Sequence, residues 1–139
     1  MGVSILMAAM LAQTPAAPLD VTVPVVAGVT EDPGCGGRAQ LATMATCVAT
    51  TQAAIGGVID TWTAAFTSQG WLAAGGGENR VVYIRRRPEG GCDGFQILAF
   101  ADGDVVAPAG PAYIAMAAIP GDVCAAAAEA PRQPPGTPQ

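Results

Sequence analysis

The sequence predicts an α+β fold in which one long helix lies across a three- to four-stranded antiparallel sheet, with a short C-terminal helix and two disulfides. Three observations carry this expectation. Apolar residues recur at helical spacing from Leu41 to Phe66, two runs near residues 80–101 alternate as strands do, and four cysteines are scattered across different elements.

The chain has 139 residues, enough for one domain. Its N-terminal run Val3 to Ala12 is small and apolar and leads into Gln13-Thr14-Pro15. This resembles the apolar region and cleavage zone of a secretory signal peptide, so residues 1–12 are expected to be removed on export, although no Lys or Arg precedes the run. It falls short of the ~20 apolar residues of a membrane span. Residues 13–37 are rich in Pro, Ala and Val and are expected to form an extended linker or an edge strand, with Pro24 lacking the N–H that a central strand requires.

Residues 38–130 form the expected α+β domain. Leu41, Met44, Val48, Ile55, Ile59, Trp62 and Phe66 fall on one side of a helix drawn from Arg38 to Gly70. Gly70 suits a left-handed stop, with Trp71 folding back onto Phe66. The pair Gly56-Gly57 is a point where the helix bends or breaks, at about 1 kcal/mol per Gly relative to Ala. Leu72 to Glu78 reads as a flexible glycine connector. Arg80–Arg87 and Cys92–Ala101 read as a hairpin around the four residues 88–91, which sets Ile84 against Phe95 and Val82 against Ile97. Asp102-Gly103 suggests a tight turn into a third strand at 104–107. Residues 112–119 fit a fourth strand better than a helical turn, being short and bounded by prolines. Asp122 is placed to cap a helix over 123–130. Residues 131–139 form a proline-rich tail expected to be disordered.

No two of Cys35, Cys47, Cys92 and Cys124 are spaced as CxxC, so a redox pair or zinc knuckle is poorly supported, and two disulfides in an exported protein are expected instead. If Cys47 lies inside a helix, Cys35 is too far along its axis to reach it. Pairing of Cys35 with Cys92 and of Cys47 with Cys124 is then favoured over the other remaining connectivity.

Composition closes several chemistries. The chain has no His and no Lys, and its only serines are Ser4 and Ser68. A Ser-His-Asp triad, a Cys-His pair, an HExxH zinc site and a P-loop are therefore excluded, and no cofactor is implied. The net charge of −5 argues against nucleic acid. Half of the arginines stand together at Arg85-Arg86-Arg87. In the hairpin register above, Tyr83, Arg85, Arg87, Gln96, Leu98 and Phe100 share one face, suited to an envelope protein or an anionic ligand. The carboxylates Asp60, Glu78, Asp93, Asp102, Asp104 and Asp122 give no sign of a facing pair. The expected function is a non-catalytic binding or interaction module of the bacterial envelope, periplasmic or secreted. The alternatives are a small carboxylate-based hydrolase and a purely structural envelope protein.

Overall fold

The computed structural model of the chain describes residues 19–103 and 105–125. The expected signal peptide at 1–12, the tail at 131–139 and most of the helix expected over 123–130 lie outside the described residues. Among the described residues, no helix is long and apolar enough to cross a membrane.

The fold is α+β, with six antiparallel strands among the described residues rather than three or four. They are β1 (Thr30–Glu31), β2 (Thr46–Thr51), β3 (Leu72–Gly77), β4 (Arg80–Arg86), β5 (Cys92–Ala101) and β6 (Pro111–Ile119), in the spatial order β1-β2-β6-β5-β4-β3. The helices are α1 (Ala39–Ala42) and α2 (Ile55–Ser68), and a 3-10 turn at Cys35–Gly37 precedes α1.

The single helix expected over 38–70 is therefore three elements. Its middle, Thr46-Cys47-Val48-Ala49-Thr50-Thr51, is β2. Three threonines and a valine in six residues disfavour helix through their stiff χ1 and suit a pleated strand, and β6 is present to pair with them. Period-four spacing of apolar residues across this stretch is coincidental. Met44, expected on the buried side, is 69% exposed. The expected C-terminal stop is present. Gly70 has φ 91°, its N–H donates to Thr67 O, and the Trp71 N–H donates to Phe66 O, which is the Schellman pattern.

Helix α2 lays Val58, Trp62 and Phe66 on one face of the sheet, where they join Trp71, Tyr83, Phe95, Ile97 and Ile114 in the main core. Phe95 is its hub, with ring centroids 5.1 Å from Phe66, 4.8 Å from Trp71 and 4.9 Å from Tyr83. The opposite face is covered at one end by the Cys35–Ala42 segment, whose Cys35, Leu41 and Ala42 pack with Cys47, Ala115, Leu98 and Phe100.

The glycine connector expected at 72–78 is largely an edge strand. β3 pairs with β4 through an irregularity between Ala73 and Gly75. The third strand expected at 104–107 is not formed where it is described. Residues 105–107 belong to the loop between β5 and β6, and Phe100 stands opposite Tyr113 of β6. Residues 112–119 are a strand, as expected. β6 is a central one, paired to β5 on one side and β2 on the other. Asp122 accepts hydrogen bonds from the backbone N–H groups of Cys124 and Ala125 at 3.0 and 3.2 Å, the N-cap geometry expected of it.

Two disulfides are formed, Cys35–Cys47 and Cys92–Cys124. This overturns the expected pairing, because the objection to Cys35–Cys47 required Cys47 to be helical. On β2 it lies beneath the segment that folds back over it, and the two Cα atoms are 5.1 Å apart. The pair of crosslinks fits an extracellular or otherwise oxidising compartment.

Candidate functional site

The six residues expected to share a binding face do not share one. The β4–β5 loop contains five residues, 87–91, because Gly90 and Gly91 both take left-handed conformations and absorb the extra position. The register moves by one residue, setting Arg86 opposite Cys92, Tyr83 opposite Phe95 and Val81 opposite Ile97. Such a slip carries every side chain of a strand to the other face. Tyr83, Arg85 and Arg87 lie on the α2 side, whereas Gln96, Leu98 and Phe100 lie on the reverse.

Each has local partners. Tyr83 is fully buried, and its hydroxyl shares a 2.7 Å hydrogen bond with Thr63 Oγ1. Burial pushes the phenol pKa up, and the Thr63 bond opposes this. Arg85 stacks on Trp71 with its guanidinium carbon 4.4 Å from the ring centroid, and donates to the carbonyls of Asp20 and Gln69. Arg87 donates to Asp93 Oδ1 at 2.7 Å and to Gly121 O at 2.9 Å. Phe100 lies between Tyr113, 5.3 Å away and stacked, and the Arg38 guanidinium 4.2 Å from its centroid. Gln96 and Leu98 line a surface cleft of about 420 Å³ with Leu41, Met44, Arg80 and Ala117.

Of the carboxylates, Asp93 is engaged by Arg87. Asp122 Oδ1 accepts from three backbone N–H groups, those of Cys92, Cys124 and Ala125. The bonds from Cys92 and Ala125 hold its carboxyl below the usual carboxylate range. Asp122 also lies beside Cys92 and Cys124, but both sulfurs are spent in the disulfide and the set cannot act as thiolate ligands.

The concavity with the most distinctive chemistry lies on the α2 side, where sequence reasoning placed an extended linker or an edge strand. Residues 19–29 run as an irregular strap along the sheet's end, with Leu19, Val21, Val26 and Val29 packed on the main core. The hydrogen bonds holding the strap fall at its two ends. Gln69 clasps Thr22 reciprocally, its Oε1 accepting from Thr22 N and its Nε2 donating to Thr22 O, both at 2.7 Å. The Trp71 indole and Arg85 reach Asp20 O, and the Arg85 guanidinium lies 3.8 Å from the Asp20 carboxylate. At the other end the strap runs into β1, whose Thr30 and Glu31 pair with Ala49 and Val48 of β2.

Between these anchors a cleft of about 380 Å³ opens. The strap residues Val23, Pro24, Val25, Val26 and Val29 form one wall, while Val48 and Thr46 of β2, Met116 of β6 and Trp62 of α2 form the other. Glu31 supplies the one carboxylate, and the lining contains no cation. Val25 on the strap is 100% exposed, an apolar side chain given wholly to solvent at the cleft. Trp62 is 2% exposed, and its indole Nε1 is buried with no hydrogen-bond partner among the described residues. Buried polar groups are paired in the great majority of cases, so an unspent donor on a residue that lines a cleft stands out. The spacing of valines along 21–29 was the available sequence signal, and Pro24 obscured it. No protein-family model, curated protein or solved structure matches this chain.

Proposed function

We propose that this chain is a small, exported, disulfide-stabilised binding module of the bacterial envelope, periplasmic or secreted, that works without catalysis and takes its partner at the cleft under the Val23–Val29 strap. One observation carries the reading: an apolar cleft is rimmed by a fully exposed valine and walled by a tryptophan with an unspent buried donor. Apolar lining with a few placed polar groups is the usual constitution of a binding pocket. The two disulfides support the compartment. Of the arginines expected to bind an anion, Arg85 supports the frame of the cleft, since with Trp71 it holds the strap's end.

The test places a photo-crosslinking side chain at Val25 and, separately, at Val105, which is 76% exposed in the distant β5–β6 loop. In cells of the native host, a defined adduct formed from position 25 and not from position 105 supports the reading. Equal labelling from both positions, or none from either, overturns it.

A further inference from the structure

The cleft's chemistry narrows what it accepts. We propose that it binds an uncharged acyl chain, an ester or an amide, whose aliphatic part lies between Val48, Met116 and the strap valines and whose carbonyl oxygen accepts a hydrogen bond from Trp62 Nε1. This rests on the reading of the cleft as the binding site and names its ligand class.

Three features select the class. The lining is dominated by aliphatic side chains, which favour a hydrocarbon stem. The buried indole N–H lacks a partner among the described residues, and such a group is costly while it stays unpaired. A ligand bringing an acceptor relieves that cost and a plain alkane does not. Glu31 is the only charged residue of the lining, so a carboxylate head meets like charge, with no cation to offset its desolvation. An ammonium head suits Glu31 but has no acceptor for the indole. The volume of about 380 Å³ lies near the lower end of the roughly 300–1,000 Å³ typical of ligand pockets, which suits one short chain and not a whole diacyl lipid.

Trp62 Nε1 exposes less than 1 Å² of surface, so on this reading the carbonyl reaches it only once the strap residues that share the cleft with Trp62 move aside. The hydrogen bonds of the strap leave the span between its two anchors as its weakest part, and Val23, Pro24 and Val25 are its residues. Chain entry and strap displacement are thus one event.

The experiment titrates the full disulfide-bonded chain with methyl nonanoate, decane and nonanoate below their aggregation limits. Binding is read by calorimetry, and the Trp62 indole N–H by ¹H–¹⁵N NMR. Methyl nonanoate should bind roughly tenfold more tightly than decane and move the Trp62 indole proton downfield, and nonanoate should bind least. Trp62→Phe should bring the ester down to the level of decane. Should that variant fail to fold, Glu31→Gln should raise nonanoate binding severalfold and leave decane unchanged. Equal binding of ester and decane, or an unmoved Trp62 indole resonance at saturation, overturns the acyl assignment and leaves the binding-module reading standing. Binding by none of the three probes overturns it too. In that case a crosslink from position 25 to a protein would assign the cleft to a peptide partner.

Discussion

Replacing both cysteines of the Cys35–Cys47 bond with alanine should destabilise the fold by about 3–4 kcal/mol. The bond closes a span of 12 residues, and opening it returns chain entropy to the unfolded state worth about 2.8 kcal/mol at 25 °C. Both residues are buried, at 0% and 2% exposure, in the cluster that holds the Cys35–Ala42 segment to the sheet. Losing two sulfur-sized apolar groups there adds about 0.8 kcal/mol each. One term works in reverse. Cys35 is the only non-glycine residue with positive φ among the described residues, at 51°, a conformation that costs a side-chain-bearing residue roughly 1–2 kcal/mol. Freed of the crosslink, residue 35 relaxes and recovers part of this. The double variant Cys35→Gly, Cys47→Ala should therefore be more stable than the double alanine variant by about 0.5 kcal/mol, glycine's easy left-handed geometry outweighing its looser unfolded chain. Guanidinium unfolding followed by tryptophan fluorescence measures both, and the denaturant slope should grow only modestly if the fold is retained. A loss below about 1.5 kcal/mol in the alanine pair, or a glycine variant less stable than the alanine one, would refute this account.

The other predictions concern the frame of the fold. A Cβ built on Gly94 lies 2.7 Å from Val123 Cγ1, so Gly94→Val should displace the 122–125 turn and cost about 2 kcal/mol or more, measured by thermal melting with the Cys92–Cys124 bond intact. Arg85→Ala removes the stack on Trp71 and the tie to Asp20, and should speed limited proteolysis within 19–29 severalfold while lowering global stability by no more than about 1 kcal/mol. The lowered pKa of Asp122 means that its stabilisation is complete above the ordinary carboxylate range and is lost as pH falls toward and through its folded-state value. Asp122→Asn should therefore flatten the acid limb of a stability-versus-pH curve and leave the alkaline limb in place. Tyr83 has the opposite sense. Its raised pKa gives stability that is present below the ordinary tyrosine value and declines as pH rises above it, so Tyr83→Phe should remove that part of the alkaline decline.

Where the sequence was legible, local chemistry decided the structure. Gly70 stops α2 because only the left-handed region allows the two closing hydrogen bonds, and Asp122 caps because its carboxylate reaches free N–H groups within three residues. The β5 run alternates strongly enough to be read without a partner, and the shortness of 112–119 between prolines favoured strand over a helical turn. The failures came where distant partners decide. Thr46–Thr51 is a strand because β6 lies beside it, yet β6 is about seventy residues away along the chain. The candidate site failed through a single position. One extra residue in the 87–91 loop separated Tyr83, Arg85 and Arg87 from Gln96, Leu98 and Phe100, and no local rule fixes a loop that two adjacent glycines leave equally able to be four or five residues long. The strap cleft was missed for a third reason. Its polar feature is a missing partner for Trp62, and an absence of contact has no signature in a sequence.

The strand order also governs the timing of folding. β3, β4 and β5 follow one another and zip together from neighbouring segments, but β2 has no place in the sheet until the final strand, β6, arrives between it and β5. A chain emerging from a ribosome or a translocation channel with its N-terminus leading thus holds β2, with Cys47, in waiting until residue 119 is out. During that interval Cys35 and Cys47, only 12 residues apart, are able to join early and locally, whereas Cys92 must wait for Cys124. Oxidative folding should accordingly accumulate a one-disulfide species with the first pair closed, and β6, Pro111–Ile119, becomes the stretch whose loss by truncation leaves β2 without a place in the sheet.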